Sequence, residues 1–205
     1  IAGSTVEEYT NLAKICSSNN IKAIELNVSC PNVKTGCLEF GTDDKSLYEL
    51  VSAVRNEYKG FLMVKLTPNV TSIESIGIAA EKAGADAVSA INTLKGTSIK
   101  LNIVNGKFYK TIVQGGYSGA GIKPVAINAV SRLSKVLNIP IVGIGGIEIL
   151  EDILEFFAAG AEAVQIGTAN FTHPDISQNL VFELEEYIVK NGFNDLTELK
   201  KELRA

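Results

Sequence analysis

The sequence lacks most of the features that mark membrane, secreted and nucleic-acid-binding proteins. Its three cysteines, Cys16, Cys30 and Cys37, are odd in number and lack the paired spacing of a metal site, which favours a reducing cytoplasm and no bound metal. No apolar run approaches the roughly 18 residues of a membrane span, and no secretory signal is predicted. A net charge of −4 over 205 residues argues against a nucleic-acid surface. These absences predict a cytoplasmic protein without a membrane or nucleic-acid partner.

Two common nucleotide-binding fingerprints are also missing, the P-loop and a Gly-x-Gly-x-x-Gly turn after the first strand. The sequence has instead five short apolar runs, and each of them ends on a polar residue or a glycine. They span residues 23–28, 61–66, 87–91, 139–144 and 163–166. Helical patterns precede and separate them at 4–18, 44–58, 71–84, 124–137, 148–159 and 175–190, and a short charged helix is predicted at 195–204. Strands that alternate with helices predict a parallel sheet with right-handed crossovers.

Three helix starts carry specific signals. Ser4 with Glu7, and Thr71 with Glu74, have the spacing of a capping box, in which a hydroxyl and a carboxylate satisfy backbone N–H groups of the first turn. Pro124 stands where a first-turn proline is favoured. We therefore expect Ser4 and Thr71 to be N-caps and Pro124 to begin a helix.

Residues 97–117 interrupt this alternation of strands and helices. Ile99, Leu101 and Ile103 alternate with polar residues, and Asn105-Gly106 follows before a second run. Asn-Gly between alternating runs is a strong signal for a two-residue hairpin turn. The pattern predicts a β-hairpin inserted after the third strand, and an irregular surface loop is the alternative.

Reactive residues at the carboxyl ends of several parallel strands are typical of an α/β-barrel enzyme. An open doubly wound sheet could use five strands, but it usually gathers ligands at one topological switch point. Here all five strand ends carry candidate residues. A closed barrel needs eight strand–helix units and about 250 residues. We therefore predict one incomplete (β/α)8 TIM barrel domain over residues 1–205, containing five of the eight units, numbers 4–8.

The first strand leads into Asn-Val-Ser-Cys-Pro-Asn. Cys30 falls on the rim of the predicted barrel, where an activated thiol can act as a base. Asn27 and Asn32 flank it with amides suited to the edge of a planar heterocycle. A small buried hydrophobe is the alternative for a lone cysteine, and this is the interpretation for Cys16, which lies on the apolar face of its helix. Cys37 is interpreted as incidental.

Lys65 lies within an otherwise apolar strand. A buried ammonium needs an anion or a polarised acceptor, and a phosphate, a carboxylate or the N1–C2 carbonyl edge of a reduced flavin would serve. A lysine that extends from a strand end into water is the alternative. Asn92-Thr93 closes the next strand with two further hydrogen-bonding side chains.

Glycines follow the last strands. Gly119 ends a glycine-containing segment, and Gly145-Gly146 and Gly167-Thr168 stand at the ends of the last two strands. In barrels, the loops after the last two strands commonly hold a phosphate through backbone N–H groups, and glycine lets the backbone approach that anion closely. A single Gly-Gly pair indicates an ordinary turn, but glycines at the ends of two successive strands predict a phosphate site.

Together these motifs resemble dihydroorotate dehydrogenase along essentially the whole chain. The matching segments are 27–34, 64–66, 91–93, 118–119, 122–124, 143–147 and 165–168. A cysteine at position 30 is similar to the soluble class 1 enzymes, since the membrane-associated class 2 enzymes carry serine there. Val33-Lys34 and residues 40–43 look more like the NAD-linked class 1B catalytic subunit than the fumarate-linked 1A form.

The resemblance implies an FMN-containing TIM barrel that oxidises (S)-dihydroorotate to orotate in pyrimidine biosynthesis. In that reaction Cys30 would remove the C5 proton while hydride passes from C6 to flavin N5. The implied substrate-binding residues are Asn27, Asn32, Asn92 and Thr93. The implied FMN-binding residues are Asn27, Lys65, Ile91, Gly119, Gly145, Gly146, Gly167 and Thr168.

The resemblance also implies partners. Class 1B catalytic subunits pair with a subunit that carries FAD and a 2Fe-2S cluster and passes electrons to NAD, so a homodimer or a heterotetramer is expected. The first three strands of the family's barrel, which supply further flavin and orotate contacts, have no counterpart in residues 1–205. Two alternatives are a dihydropyrimidine dehydrogenase-like flavoenzyme, against which Asn32 and Phe40-Gly41 argue, and a non-catalytic phosphate-binding barrel fragment.

Overall fold

The computed structural model of the chain describes residues 1–29 and 40–205. This part of the chain forms seven strands and seven α-helices. The strands are β1 (Ala23–Asn27), β2 (Phe61–Leu66), β3 (Ala87–Ala90), β4 (Leu94–Val104), β5 (Lys107–Tyr117), β6 (Ile141–Ile144) and β7 (Ala163–Gln165). The helices are α1 (Val6–Ser18), α2 (Asp44–Glu57), α3 (Ile73–Lys82), α4 (Lys123–Leu133), α5 (Leu150–Ala158), α6 (Ile176–Lys190) and α7 (Leu196–Leu203).

Five of the strands form a parallel sheet in the order β1-β2-β3-β6-β7, which is also their order in the chain. A doubly wound sheet reverses its strand order at a switch point, so the sequential order favours a barrel. Side chains alternate between the two faces of each strand. Leu62, Val64 and Leu66 are fully buried on the outer face, whereas Met63 and Lys65 lie half-buried on the inner face.

The sheet curls strongly toward its inner face. β1 and β7 are its two edge strands, yet the side-chain nitrogen of Gln165 in β7 lies 3.5 Å from Glu25 Oε1 in β1. Neighbouring strands lie about 4.8 Å apart, so a flat sheet would separate these two strands by about 19 Å. The curvature and the alternating helices confirm the prediction of a partial (β/α) barrel. The sheet is open, since β1 and β7 do not pair with each other in the part of the chain described.

The predicted hairpin is present, and it is longer than predicted. β4 and β5 pair antiparallel over Leu94–Tyr117, whereas the expected start was residue 97. The extension contains Gly96, opposite another glycine, and glycines give no alternating signal from which the strands could be extended. Asn105 and Gly106 have φ of 51° and 75°, as the predicted two-residue turn requires.

Both predicted N-caps are wrong by one residue. Thr5, not Ser4, caps α1: its backbone is extended and its hydroxyl accepts from the backbone N–H three residues later at 3.2 Å. Ser72, not Thr71, caps α3 in the same way at 3.3 Å. Each helix start offers two adjacent hydroxyl residues, and the backbone conformation of the entering chain selects the second one.

Other boundaries differ by a few residues. Pro124 lies in the first turn of α4, as predicted, but the helix ends before the expected residue 137. β6 begins at Ile141 rather than at 139, because Pro140 has no N–H to donate to the ladder. Glu74, which was expected to complete a capping box with residue 71, accepts from Arg132 of α4 at 2.5 and 2.6 Å. That ion pair fixes α3 against α4.

Candidate functional site

Seven of the predicted cofactor residues line one small cavity at the carboxyl ends of the strands. The cavity measures about 130 Å³. The seven residues are Lys65, Ile91, Gly119, Gly145, Gly146, Gly167 and Thr168, and the rest of the wall is Asn92, Thr93, Ser118, Ile122 and Ile144. The ends of β2, β3, β6 and β7 and the loop before α4 therefore meet at one place.

Two glycines in this wall are required both by backbone conformation and by space. Gly145 and Gly146 have φ of 133° and 74°, which residues with a side chain rarely adopt. A Cβ on Gly146 would lie 2.9 Å from the carbonyl oxygen of Ala120 and 2.8 Å from Lys123 Cβ. The loop after β6 therefore packs against the start of α4 with no room for a side chain.

The loop after β7 adds hydroxyl groups to the same cavity. Thr168 begins a 3-10 helix, Thr168–Phe171, and its Oγ1 donates to Ser118 Oγ at 2.8 Å. A Cβ on Gly167 would meet nothing within 4 Å, so this side of the loop is open. Loops after the last two strands, followed by a short helix, form the usual phosphate site of barrels. The two hydroxyls and the glycine backbone are suited to phosphate oxygens.

Lys65 brings a positive charge into this cavity. Its side chain is half-buried on the inner face of β2, and its ammonium has no ion pair or hydrogen bond with residues 1–29 or 40–205. Ile91, which is 3% exposed, adds apolar surface to the wall. A cation beside an apolar wall suits a flat ring that carries a polar edge.

A second cavity of about 650 Å³ adjoins the first and shares Asn92 and Thr93 with it. Small-molecule sites usually measure about 300–1,000 Å³. The other residues of its wall are Ser29, Asn69, Lys95, Gly96, Thr97, Gln114, Gly115 and Gly116. The base of the hairpin thus forms one side of this cavity, a role that the strand-end pattern does not predict.

Amide side chains hold the wall between the two cavities. Asn92 Nδ2 donates to Asn27 Oδ1 at 3.0 Å, and Asn92 Oδ1 accepts from Thr93 N at 2.8 Å. Asn69 donates to the carbonyl of Thr93 at 3.0 Å and accepts from Lys95 N at 2.9 Å. Asn69 therefore ties the end of β3 to the start of the hairpin. It was missed, although it follows the end of β2 and the strand-end rule could have found it.

Cys30 and Asn32, the predicted base and one predicted substrate ligand, lie outside the described residues. Their neighbour Ser29 lines the larger cavity, and its buried hydroxyl has no hydrogen-bond partner in the described part of the chain. A buried polar atom without a partner is costly unless a ligand or water meets it. Asn27 ends β1 and is joined to the site by its hydrogen bond with Asn92.

An ion-pair cluster between α4 and α5 stabilises the loop after β6. Lys123 Nζ lies 2.6 Å from Asp152 Oδ1 and 2.9 Å from Glu155 Oε2. Burial acts to raise the pKa of Asp152, but hydrogen bonds from Lys123 and from two backbone N–H groups outweigh it and hold that pKa below its usual value. Hydrogen bonds to the two carboxylates raise the pKa of Lys123. Both groups are therefore charged at neutral pH.

Within residues 1–29 and 40–205, no group of three or more His, Cys, Asp or Glu side chains could hold a metal ion. The same residues include no helix that is long and apolar enough to cross a membrane. What the two cavities offer a ligand is amides, hydroxyls, glycine backbone and the side chains of Lys65 and Lys95.

The family model for dihydroorotate dehydrogenase matches residues 1–188 of the chain. The chain belongs to the dihydroorotate dehydrogenase family. It is 44% identical over 200 residues to the dihydroorotate dehydrogenase B (NAD(+)) catalytic subunit of Bacteroides fragilis, a match that covers 97% of this chain and 65% of that protein. It is 47% identical over 206 residues to the protein of the same name from Listeria monocytogenes, covering 98% of the chain and 66% of the relative. These relatives confirm the resemblance to the NAD-linked class 1B form.

The chain spans 65–66% of the length of these curated dihydroorotate dehydrogenases. Its small cavity fits part of an FMN: the open backbone at Gly167, two hydroxyls and a lysine are the groups that a ribityl phosphate and a flavin edge need. At about 130 Å³ the cavity is smaller than a complete small-molecule site. A whole cofactor would therefore extend beyond this cavity.

Proposed function

We propose that this chain belongs to an FMN-dependent enzyme that oxidises (S)-dihydroorotate to orotate in pyrimidine biosynthesis, with NAD as the final electron acceptor. The observation that supports this proposal is the shared wall. Asn92 and Thr93 separate a glycine- and lysine-lined cavity from a larger polar one, so that a cofactor and a substrate bound there would lie side by side. Hydride transfer needs this adjacency of donor and acceptor.

The glycine loops and Thr168 would hold the phosphate of FMN, and Lys65 would face the N1–O2 edge of its ring, beside Ile91. Because Thr168 Oγ1 donates its proton to Ser118 Oγ, Ser118 would donate its own proton to a phosphate oxygen. The bound cofactor supplies a two-electron acceptor for the hydride that leaves C6 of the substrate.

The substrate would lie in the larger cavity, where Asn27, Asn32, Asn92 and Thr93 would bind its ring edge and carboxylate. Amide groups match both the N–H and the C=O groups of such a ring. Cys30 would act as the base that removes the C5 proton. A thiol is suited to that role when its surroundings lower its pKa. Ser29, the residue before Cys30 in the chain, lines the larger cavity.

The assembly is part of the proposal as well. The relatives are named catalytic subunits, which supports a second subunit that carries FAD and a 2Fe-2S cluster, in a heterotetramer built on a homodimer of catalytic subunits. We assign the chain to units 4–8 of the barrel. A cytoplasmic location stays a prediction from the cysteine content.

The proposal is tested by purifying the protein with any flanking sequence that its gene encodes. A flavin absorbance band at about 450 nm is expected, and a protein without it would support a non-catalytic barrel. Anaerobic bleaching of this band by dihydroorotate but not by dihydrouracil is expected. Bleaching by dihydrouracil alone would favour the dihydropyrimidine dehydrogenase-like alternative. Reoxidation by NAD in the presence of the second subunit, but not by fumarate, would establish the acceptor.

A further inference from the structure

A polar cluster lies on the inner face of the sheet, outside the candidate site. Ser89 is fully buried, and its Oγ donates to Glu25 Oε1 at 2.5 Å. The side-chain nitrogen of Gln165 lies 3.5 Å from the same carboxylate oxygen, a long hydrogen bond. The three side chains come from β3, β1 and β7. The Glu25 carboxylate on one edge strand therefore contacts side chains of the central strand and of the opposite edge strand.

The cluster lies one row of side chains away from the candidate site. Alternation along the strands puts Glu25 on the same face as Asn27, two residues before it, and puts Gln165 two residues before the glycine of the β7 loop. Ser89 pairs with Lys65 in the register of β2 and β3. The carboxylate therefore lies one row of side chains deeper than Lys65, on the side away from the cofactor cavity.

The charge of Glu25 requires compensation on this face. An ionised carboxylate that loses water needs hydrogen-bond donors and a positive charge nearby. Ser89 and Gln165 supply donors, and among the described strand residues of the inner face Lys65 is the cation. To reach Ser89, the Glu25 side chain crosses β2, the strand that carries Lys65. The two charges thus lie within about 10 Å, or two strand spacings, of each other.

We propose that Glu25 is a positioning residue that tunes the candidate cofactor site electrostatically: its carboxylate, held by Ser89 and Gln165, offsets the positive charge that Lys65 presents to the cofactor cavity. This inference rests on the proposed function, because it concerns the flavin that Lys65 would face. Charge near N1 of a flavin sets its electron affinity. A fixed carboxylate behind Lys65 disfavours the electron-rich reduced flavin and lowers the midpoint potential.

Glu25→Gln tests the charge alone, because it keeps the shape of the side chain and an oxygen that Ser89 can bind. In the flavin-loaded protein, the flavin midpoint potential is expected to become more positive. The shift should correspond to several-fold in the ratio of reduced to oxidised flavin at an effective dielectric constant of about 20, because the flavin would lie beyond Lys65, further from Glu25 than the roughly 10 Å between the two charges. Lys65→Met removes the opposite charge and is expected to shift the potential in the opposite direction.

Ser89→Ala is the matched control, since it removes the hydrogen bond and leaves the charge. We expect lower thermal stability for this variant and no shift in flavin potential. If the cluster had only a structural role, E25Q, which keeps the hydrogen bond, would have the same flavin midpoint potential as the wild type.

An unshifted potential in E25Q with flavin bound overturns the inference. Loss of flavin from E25Q also overturns it, because the carboxylate would then serve the fold rather than the charge. A wild-type protein that carries no flavin overturns the proposed function and this inference with it. Flavin in the wild type together with an unshifted E25Q overturns this inference alone.

Discussion

Asn92 donates its side-chain amide to Asn27 Oδ1 at 3.0 Å, and this bond joins the ends of β1 and β3 across the intervening strand β2. It fixes the orientation of both amides. Because Asn27 Oδ1 accepts from Asn92, the amide nitrogen of Asn27 is left to donate to a ligand, as far as the described residues show. One hydrogen bond therefore presets the donors that a planar substrate would meet.

Asn92→Ala is expected to weaken orotate binding by about tenfold, since one neutral hydrogen bond contributes about 1–1.5 kcal/mol. The variant also releases Asn27, so Asn27→Ala and Asn92→Ala should not be additive. Residues in one hydrogen-bond network show coupling energies of about 0.5–3 kcal/mol. Equilibrium titration of both single variants and the double variant with orotate measures this coupling.

Asn102→Ala provides the control for that cycle, because Asn102 is an exposed asparagine on β4, outside the walls of both cavities. Orotate affinity in this variant should equal that of the wild type. Additive losses in the Asn27 and Asn92 variants would show that the bond between them does not organise the site.

The strand ends could be predicted from the sequence because each one combines an apolar run with an abrupt polar or glycine residue. Lys65, Asn92 and Thr168 were found in this way, and the parallel sheet brings them to one end, as that architecture requires. Residues that line the site from elements other than the ends of the parallel strands were missed. Gln114 lines the larger cavity from the returning strand of the hairpin, and only the length of that hairpin places it there.

Links between side chains far apart in the chain were also beyond the sequence pattern. Asp152 lies on α5 and Lys123 at the start of α4, and neither position has a sequence signal for its partner. The N-caps show the same limit at short range. Ser4 and Thr5 are both good caps by residue type, and only the φ and ψ of the entering chain distinguish them.

Gly146→Ala is expected to destabilise the protein and to weaken FMN binding. Alanine at a φ of 74° is strained by about 1–2 kcal/mol, and its Cβ would also meet the carbonyl oxygen of Ala120 at 2.9 Å. Gly106→Ala is the matched control, because Gly106 has φ of 75° and nothing within 4 Å of its Cβ position. Urea unfolding of both variants separates strain from crowding. Equal losses of unfolding free energy in the two variants would mean that the loop after β6 can shift to make room for the added Cβ.

The pair of Asp152 and Lys123 predicts a pH dependence of stability. The pKa of Asp152 is lowered in the folded state, so its contribution is present above its usual pKa of 3.8 and is lost as pH falls through the folded value. The pKa of Lys123 is raised, so its contribution is present below its usual pKa of 10.5 and is lost as pH rises through the folded value. Between these limits both contributions are complete.

Asp152→Asn should therefore cost about 1–3 kcal/mol of unfolding free energy at neutral pH, and the difference from the wild type should shrink as pH falls below the usual carboxylate range. Glu49→Gln removes the same charge from an exposed position on α2 and should change stability by less than about 0.5 kcal/mol. Urea unfolding across this pH range checks both. A difference that stays constant at acid pH would contradict the assigned role of the ionised carboxylate.

Cys30→Ala is expected to leave FMN bound and to slow flavin reduction by dihydroorotate by about 10²–10⁴-fold, the usual contribution of a general base. Cys30→Ser should lose less at high pH than at neutral pH, because a hydroxyl needs stronger activation than a thiol. Cys16→Ala is the matched control: Cys16 is half-buried on α1 and packs against the core, outside the walls of both cavities. Stopped-flow reduction that is unchanged in Cys30→Ala would exclude this thiol as the base.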